Sequence, residues 1–144
     1  MAKINTIEDL KVWQEARALN QLVYRFIYSN KELKDFDLKN QINSASGSIM
    51  DNIAEGFGRG GNKEFRQFLT IARGSTTEVK SQVLRSSDRA YIKAEQTDLL
   101  LNQISTISKM INGLISSLNK TDLKGSKYKV EEEEVEYLIL NQEH

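Results

Sequence analysis

The sequence predicts an all-α fold: an antiparallel, up-and-down four-helix bundle over residues 1–119, followed by an acidic and apolar C-terminal extension over residues 120–144. Three observations carry this prediction. Apolar residues recur at alternating steps of three and four in four separate stretches, which is the period of one helix face. No proline occurs anywhere in the chain, so no helix has a proline kink or a proline-enforced stop. The links between the stretches are short, and short links set neighbouring helices antiparallel.

The first helix is expected from about Ile7 to Ser29, with Leu10, Trp13, Ala16, Asn20, Val23 and Ile27 along one side. Thr6 is its candidate cap, and Glu8 and Asp9 suit the positive end of the helix dipole. Trp13 and Tyr24, on or beside that face, read as core or subunit contacts. A mostly polar link, Asn30 to Asp37, leads to the second helix, expected over Leu38 to Glu55. Its apolar face runs through Ile42, Ala45, Ile49, Ile53 and Gly56. Gly47 inside this helix costs about 1 kcal/mol relative to alanine, which points to close approach of a neighbouring helix. Gly56, Gly58, Gly60 and Gly61 are expected to end it, supplying the positive backbone angles of a C-cap and turn. Phe57, between two of them, reads as a hydrophobic cap on the end of the bundle.

The third helix is expected from Lys63 to Arg89, with Asn62 as N-cap, Glu64 in the first turn, and Phe65, Phe68, Leu69, Ala72, Thr76, Val79 and Val83 keeping the apolar spacing. The fourth, expected over Glu95 to Leu118, places Leu100, Ile104, Ile107, Ile111, Leu114 and Leu118 at steps of four and three, a heptad-like seam.

Composition narrows the function classes. A chain of 144 residues buries about two thirds of its unfolded surface, enough for a core without covalent staples. There is no cysteine, which removes disulfides and thiolate metal sites. No apolar run approaches the length of about 20 residues that a spanning helix needs, so no membrane role and a cytoplasmic location are expected. The single histidine is His144, which leaves no internal imidazole for general-base or di-iron chemistry. Asp51 and Glu55, one turn apart, make at most a weak cation site. GFGRGG lacks the following Lys-Ser or Lys-Thr pair, and the preceding strand, of a phosphate loop. No enzyme activity and no cofactor are expected.

The charge balance is zero, but it is unevenly spread. From Lys120 onward four lysines face seven acids, a net −3, which leaves +3 on residues 1–119. In the third helix Arg66, Arg73 and Lys80 are seven residues apart, and seven residues fall only about 20° short of two turns, so the three cations align in one stripe. Lys63, Thr70 and Thr77 occupy the gaps and Arg59 adds charge at the turn. Such cations and hydroxyls suit a phosphate backbone, and Arg59, Lys63, Arg66, Arg73 and Lys80 are therefore the candidate nucleic-acid-binding residues. The competing reading is the ordinary solvated side of an amphipathic helix. Asn52 and Glu55 lie close to the apolar face, where an acid is costly unless paired. They read as structural polar residues, with Glu55 pairing Arg59, Arg66 or Arg73 to fix helix two against helix three. In the extension, Glu131 to Glu134 lead into the apolar patch Val135, Tyr137, Leu138, Ile139 and Leu140, a composition that suits docking onto the bundle or onto a neighbouring subunit.

The wording of several segments, NIAEGFGR at Asn52 to Arg59, DLKVWQEA at Asp9 to Ala16, KEFRQFLTIARGS at Lys63 to Ser75 and KMINGLISSL at Lys109 to Leu118, resembles a known family. These are the bacterial four-helix-bundle proteins called 23S rRNA intervening-sequence proteins, many of which are encoded in insertions within large-subunit rRNA genes. The resemblance covers roughly residues 7–119. It implies an up-and-down bundle, often a ring-shaped homopentamer, with no established catalytic activity. A related branch, the accessory proteins of diversity-generating retroelements, works with a reverse transcriptase and nucleic acid. The resemblance thus implies the chain itself, RNA or other nucleic acid, and a reverse transcriptase or RNA-processing protein as partners. Two departures stand out: relatives often have arginines where this chain has Asn43 and Ser44, and many carry proline where it has Met50.

Overall fold

The computed structural model describes residues 4–123; the acidic and apolar stretch expected beyond them lies outside the described residues. Among the described residues there are four long helices and no strand: α1 (Lys11–Val23), α2 (Phe36–Gly58), α3 (Asn62–Asp88) and α4 (Ala94–Leu123). α1 packs on α2 and α4, and α3 packs on the same two, which makes a four-helix bundle around one core. Leu19, Ile27, Ile49, Ile53, Leu69, Ile107 and Ile111 are all fully buried there. Each such side chain contributes about 1.5–3 kcal/mol by leaving water.

The first helix is broken differently from its expected span. Ile7–Asp9 forms a separate 3₁₀ turn, pinned because the Asp9 carboxylate accepts the backbone N–H groups of Asn5 and Thr6 at 3.0 and 3.1 Å. Those two bonds also hold Asp9 below the ordinary carboxylate pKa. Leu10 is extended and fully buried, so the chain breaks its helix there to seat this side chain in the core. At the other end α1 passes into one π-helical turn, Tyr24–Tyr28, closed by the Ser29 N–H donating to the Tyr24 carbonyl at 2.8 Å. Ile27 points inward, whereas Tyr24 is 56% exposed and lies outside the core.

The link to α2 is polar in sequence but tightly tied. Lys39 is buried, and its ammonium donates to the carbonyls of Asn30 at 2.7 Å and Leu33 at 3.1 Å, which offsets its desolvation. Asp35 accepts the Leu38 N–H at 3.2 Å as N-cap, so α2 starts two residues earlier than expected.

The glycine cluster corrects the expected end of α2. The helix runs through Gly56 to Gly58, three residues past Glu55. Gly56 is buried, and a Cβ placed on it would stand 2.6 Å from the Phe68 Cβ, so this is the glycine of close helix approach. Gly47, expected in that role, meets nothing within 4 Å. Of the four turn glycines only Gly60 has a positive φ, at +83°. Gly61, extended at φ −108° and ψ 148°, is the residue before α3, and Asn62, expected as the cap, is already helical.

α3 ends in Ala90 at φ +58°, with the Tyr91 N–H on the Ser86 carbonyl and the Ala90 N–H on the Ser87 carbonyl, both at 2.9 Å. That is the Schellman closure, made here by alanine in place of glycine. α4 continues five residues beyond the expected Leu118.

Cross-helix contacts tie the helices along their lengths. Gln41 meets Arg85 at 3.1 Å, Ser48 meets Ser75 at 3.0 Å, and Gly56 lies against Phe65 and Phe68, an order compatible with antiparallel packing of α2 and α3. Arg73 meets Asn112 at 3.3 Å, and these residues lie at similar distances either side of the short connection from Asp88 to Ala94, which is compatible with the same packing of α3 and α4.

Candidate nucleic-acid interface

The straight course of α3 places Arg66, Arg73 and Lys80 about 10.5 Å apart along the axis, a span of about 21 Å. Lys63, Arg73 and Lys80 are exposed and Arg66 is half-buried. The hydroxyls between them face inward in their bonding: Thr70 donates to the Arg66 carbonyl at 3.0 Å and Thr77 to the Arg73 carbonyl at 3.2 Å. Their oxygens stay available as acceptors, but their protons are committed to the helix. The cations therefore supply the charge chemistry of this stripe.

Arg59 is engaged elsewhere. Its guanidinium pairs with Glu55 at 2.8 Å, within the last turn of α2, and its carbon lies 5.3 Å from the Phe68 ring centroid. Of the three cations expected for Glu55, Arg59 is the partner. The Glu55 pair does not itself cross from α2 to α3, because both residues belong to the same helix end. Arg59 over Phe68 makes that crossing. Asn52 works separately: its amide donates to the Ser48 carbonyl and hydroxyl at 2.8 and 2.9 Å, and the Ser48 hydroxyl meets that of Ser75 on α3. Phe57 is half-buried and stacks edge-on against Phe65, capping the core.

The second helix of the face went unnoticed in the sequence reading. Arg73 donates to Asn112, so the cationic stripe borders α4. From Leu99 through Thr121, α4 contains no acidic residue and carries Lys109 and Lys120. Ser105, Lys109, Asn112 and Ser116 fall within about 60° on the helical wheel, and all four are exposed. The acids of α3 that neighbour the stripe in sequence point elsewhere: Glu78 and Glu64 lie about 140° and 180° around the helix from Arg73. Asp88, Glu95 and Asp98 lie at or near the α3–α4 connection, together with Arg85, Arg89 and Lys93. The stripe itself thus has no acid of α3 beside it, while both ends of the face mix signs, since Glu64 and Asp122 likewise accompany Lys63 and Lys120. The signal for α4's part was the acid-free run, which a search confined to positive charge passes over.

Among the described residues, no group of three or more histidine, aspartate or glutamate side chains is placed to hold a metal ion. No helix described is long and apolar enough to cross a membrane. The two carboxylates held below their ordinary range, Asp9 and Asp35, both secure turns.

No curated protein matches the chain. The model of the 23S rRNA-intervening sequence protein family matches residues 8–113, from the first turn through most of α4. That match takes in the α2–α3 turn and the cationic stripe, and the chain belongs to the 23S rRNA-intervening sequence protein family.

Proposed function

We propose that this protein is a non-enzymatic, cytoplasmic accessory protein, an antiparallel up-and-down bundle that self-associates and binds RNA or another nucleic acid through the α3/α4 face. One observation carries the reading: Arg66, Arg73 and Lys80 align beside a stretch of α4 that is free of acids. A row of cations without interleaved acids gives sequence-independent affinity for phosphates. The family description, which refers to 23S rRNA, points the same way. An RNA-processing protein is the partner class that follows, or a reverse transcriptase if kinship with retroelement accessory proteins holds. Repetition of the face in a homopentamer would multiply weak contacts into avidity.

A second reading, an oligomeric protein-binding scaffold without nucleic-acid contact, is favoured by the exposed Tyr24, Tyr28 and Phe36 at the α1–α2 end of the molecule. Salt separates the two. Fluorescence anisotropy of a labelled structured RNA and a matched DNA duplex is expected to show binding that weakens steeply with salt. An Arg66→Ala, Arg73→Ala, Lys80→Ala triple variant should lose it, lowering the log–log salt slope by about 2–3. Absence of binding at low salt would leave the scaffold reading in its place.

A further inference from the structure

The zero net charge of the chain conceals a segregation sharper than the division at residue 120. Residues 130–144 contain six glutamates and no lysine or arginine, so residues 1–129 carry a balancing +6. On the described part of the molecule, the α3/α4 face brings Arg66, Arg73 and Lys80 beside the stretch of α4 from Leu99 to Thr121, which contains no acid. α4 ends at Leu123, and in the antiparallel bundle proposed above that end lies beside the start of α3, next to Lys63 and Arg66. The chain therefore leaves the described bundle at the Lys63 and Arg66 end of the face.

We propose that residues 131–140 of this same chain fold back along the α3/α4 face, their glutamates against Arg66, Arg73 and Lys80 and their apolar end against Leu84. Reach permits it. Seven residues separate Leu123 from Glu131, and the eight steps between those two reach up to about 26–29 Å, whereas Arg66 lies only about 6 Å from the start of α3. Length matches as well. Ten extended residues, Glu131 to Leu140, span about 30 Å, and Arg66 to Leu84 spans about 27 Å. Glu131 placed at Arg66 therefore brings Leu138 to Leu140 to Leu84. Leu84 is 43% exposed and sits one turn beyond Lys80, an apolar landing at the end of the stripe where this segment turns apolar.

The occupant committed to is the chain's own segment, and its consequence is competition: a polyanion must displace these glutamates before it reaches the cations. That consequence rests on the nucleic-acid reading above; the docking does not. The chain has no cysteine, so a designed pair is the only disulfide it can form. In the proposed register Val135 lies near Thr77. A Thr77→Cys, Val135→Cys variant of the full chain, oxidised at low concentration, is expected to give a disulfide within single chains. A Gln21→Cys, Val135→Cys control, with its first cysteine on α1, should not, because a disulfide needs Cα atoms within about 7 Å. Adding Glu131→Gln through Glu134→Gln to the first pair should cut its yield. Equal yields in both pairs, or a product of dimer mass, would overturn the docking. In the cysteine-free chain, the same four glutamine substitutions should tighten RNA binding about tenfold at low salt, the scale of a few partly screened ion pairs. Unchanged affinity of a protein that does bind RNA would overturn the competition. If no variant binds RNA, the nucleic-acid reading falls and the disulfide alone decides the docking.

Discussion

Asp35 joins three parts of the chain with one carboxylate. One oxygen accepts the Leu38 N–H that starts α2, and the other accepts Arg89 at 2.8 Å and the Tyr91 hydroxyl at 3.0 Å. The Leu38 backbone bond, then the Tyr91 hydroxyl, and with them the charge of Arg89, hold its pKa below the ordinary value of 3.8. The sign follows from linkage: stability from a depressed carboxylate is present above the unfolded pKa and is lost as pH falls through the folded one. An Asp35→Asn variant, which keeps a capping oxygen and loses the charge, should melt below the parent at neutral pH, and the gap should close as pH drops beneath about 3.8. Thermal midpoints of both proteins across that range check it; a gap independent of pH would show that charge plays no part. Little of this was legible beforehand. Asp35 sat in a stretch read as a plain polar link, because its partners lie 54 and 56 positions away in sequence. Asp9 was easier, since its partners are local.

At the scale of helices, three glycines of equal intrinsic propensity have opposite roles. Alanine at Gly56 would thrust a Cβ to 2.6 Å from the Phe68 Cβ and 3.3 Å from the Phe65 Cα, and the second of these is backbone. α2 and α3 would have to part. An overpacking cost of about 1–3 kcal/mol should outweigh the helix-propensity gain of about 1 kcal/mol, so Gly56→Ala is expected to destabilise. At Gly47 and Gly74 nothing lies within 4 Å, and alanine there should stabilise by up to about 1 kcal/mol each. Urea unfolding midpoints of the three variants test the contrast. The information was present in the register: Gly56 follows Ile53 by three residues on the apolar face, whereas Gly47 lies off that face. Counting glycines near a turn obscured it. The four helices themselves were readable because their apolar spacing is long and regular. Their ends were less so: Leu10 takes its extended state from burial in the core, which no short window of sequence contains.

For the whole molecule, assembly is the level above the bundle. Sedimentation of the full chain is expected to give a multiple of 16.4 kDa, about 82 kDa for five copies. A single-chain mass at micromolar concentration would sink the self-association proposal. Periodicity located the helices but not their lateral neighbours, and so the stripe was legible as a line on α3 while its border with α4 was not. That border required Arg73 and Asn112, 39 residues apart, to be seen together.

The Arg66, Arg73 and Lys80 stripe draws one line of positive charge along a side of the molecule. Cyclic assembly rotates each subunit into the next without inverting it. A ring whose axis follows the helices would therefore repeat that line once per subunit, every copy running the same way. What is a single row of cations in one subunit becomes a set of evenly spaced parallel flutes around the assembly.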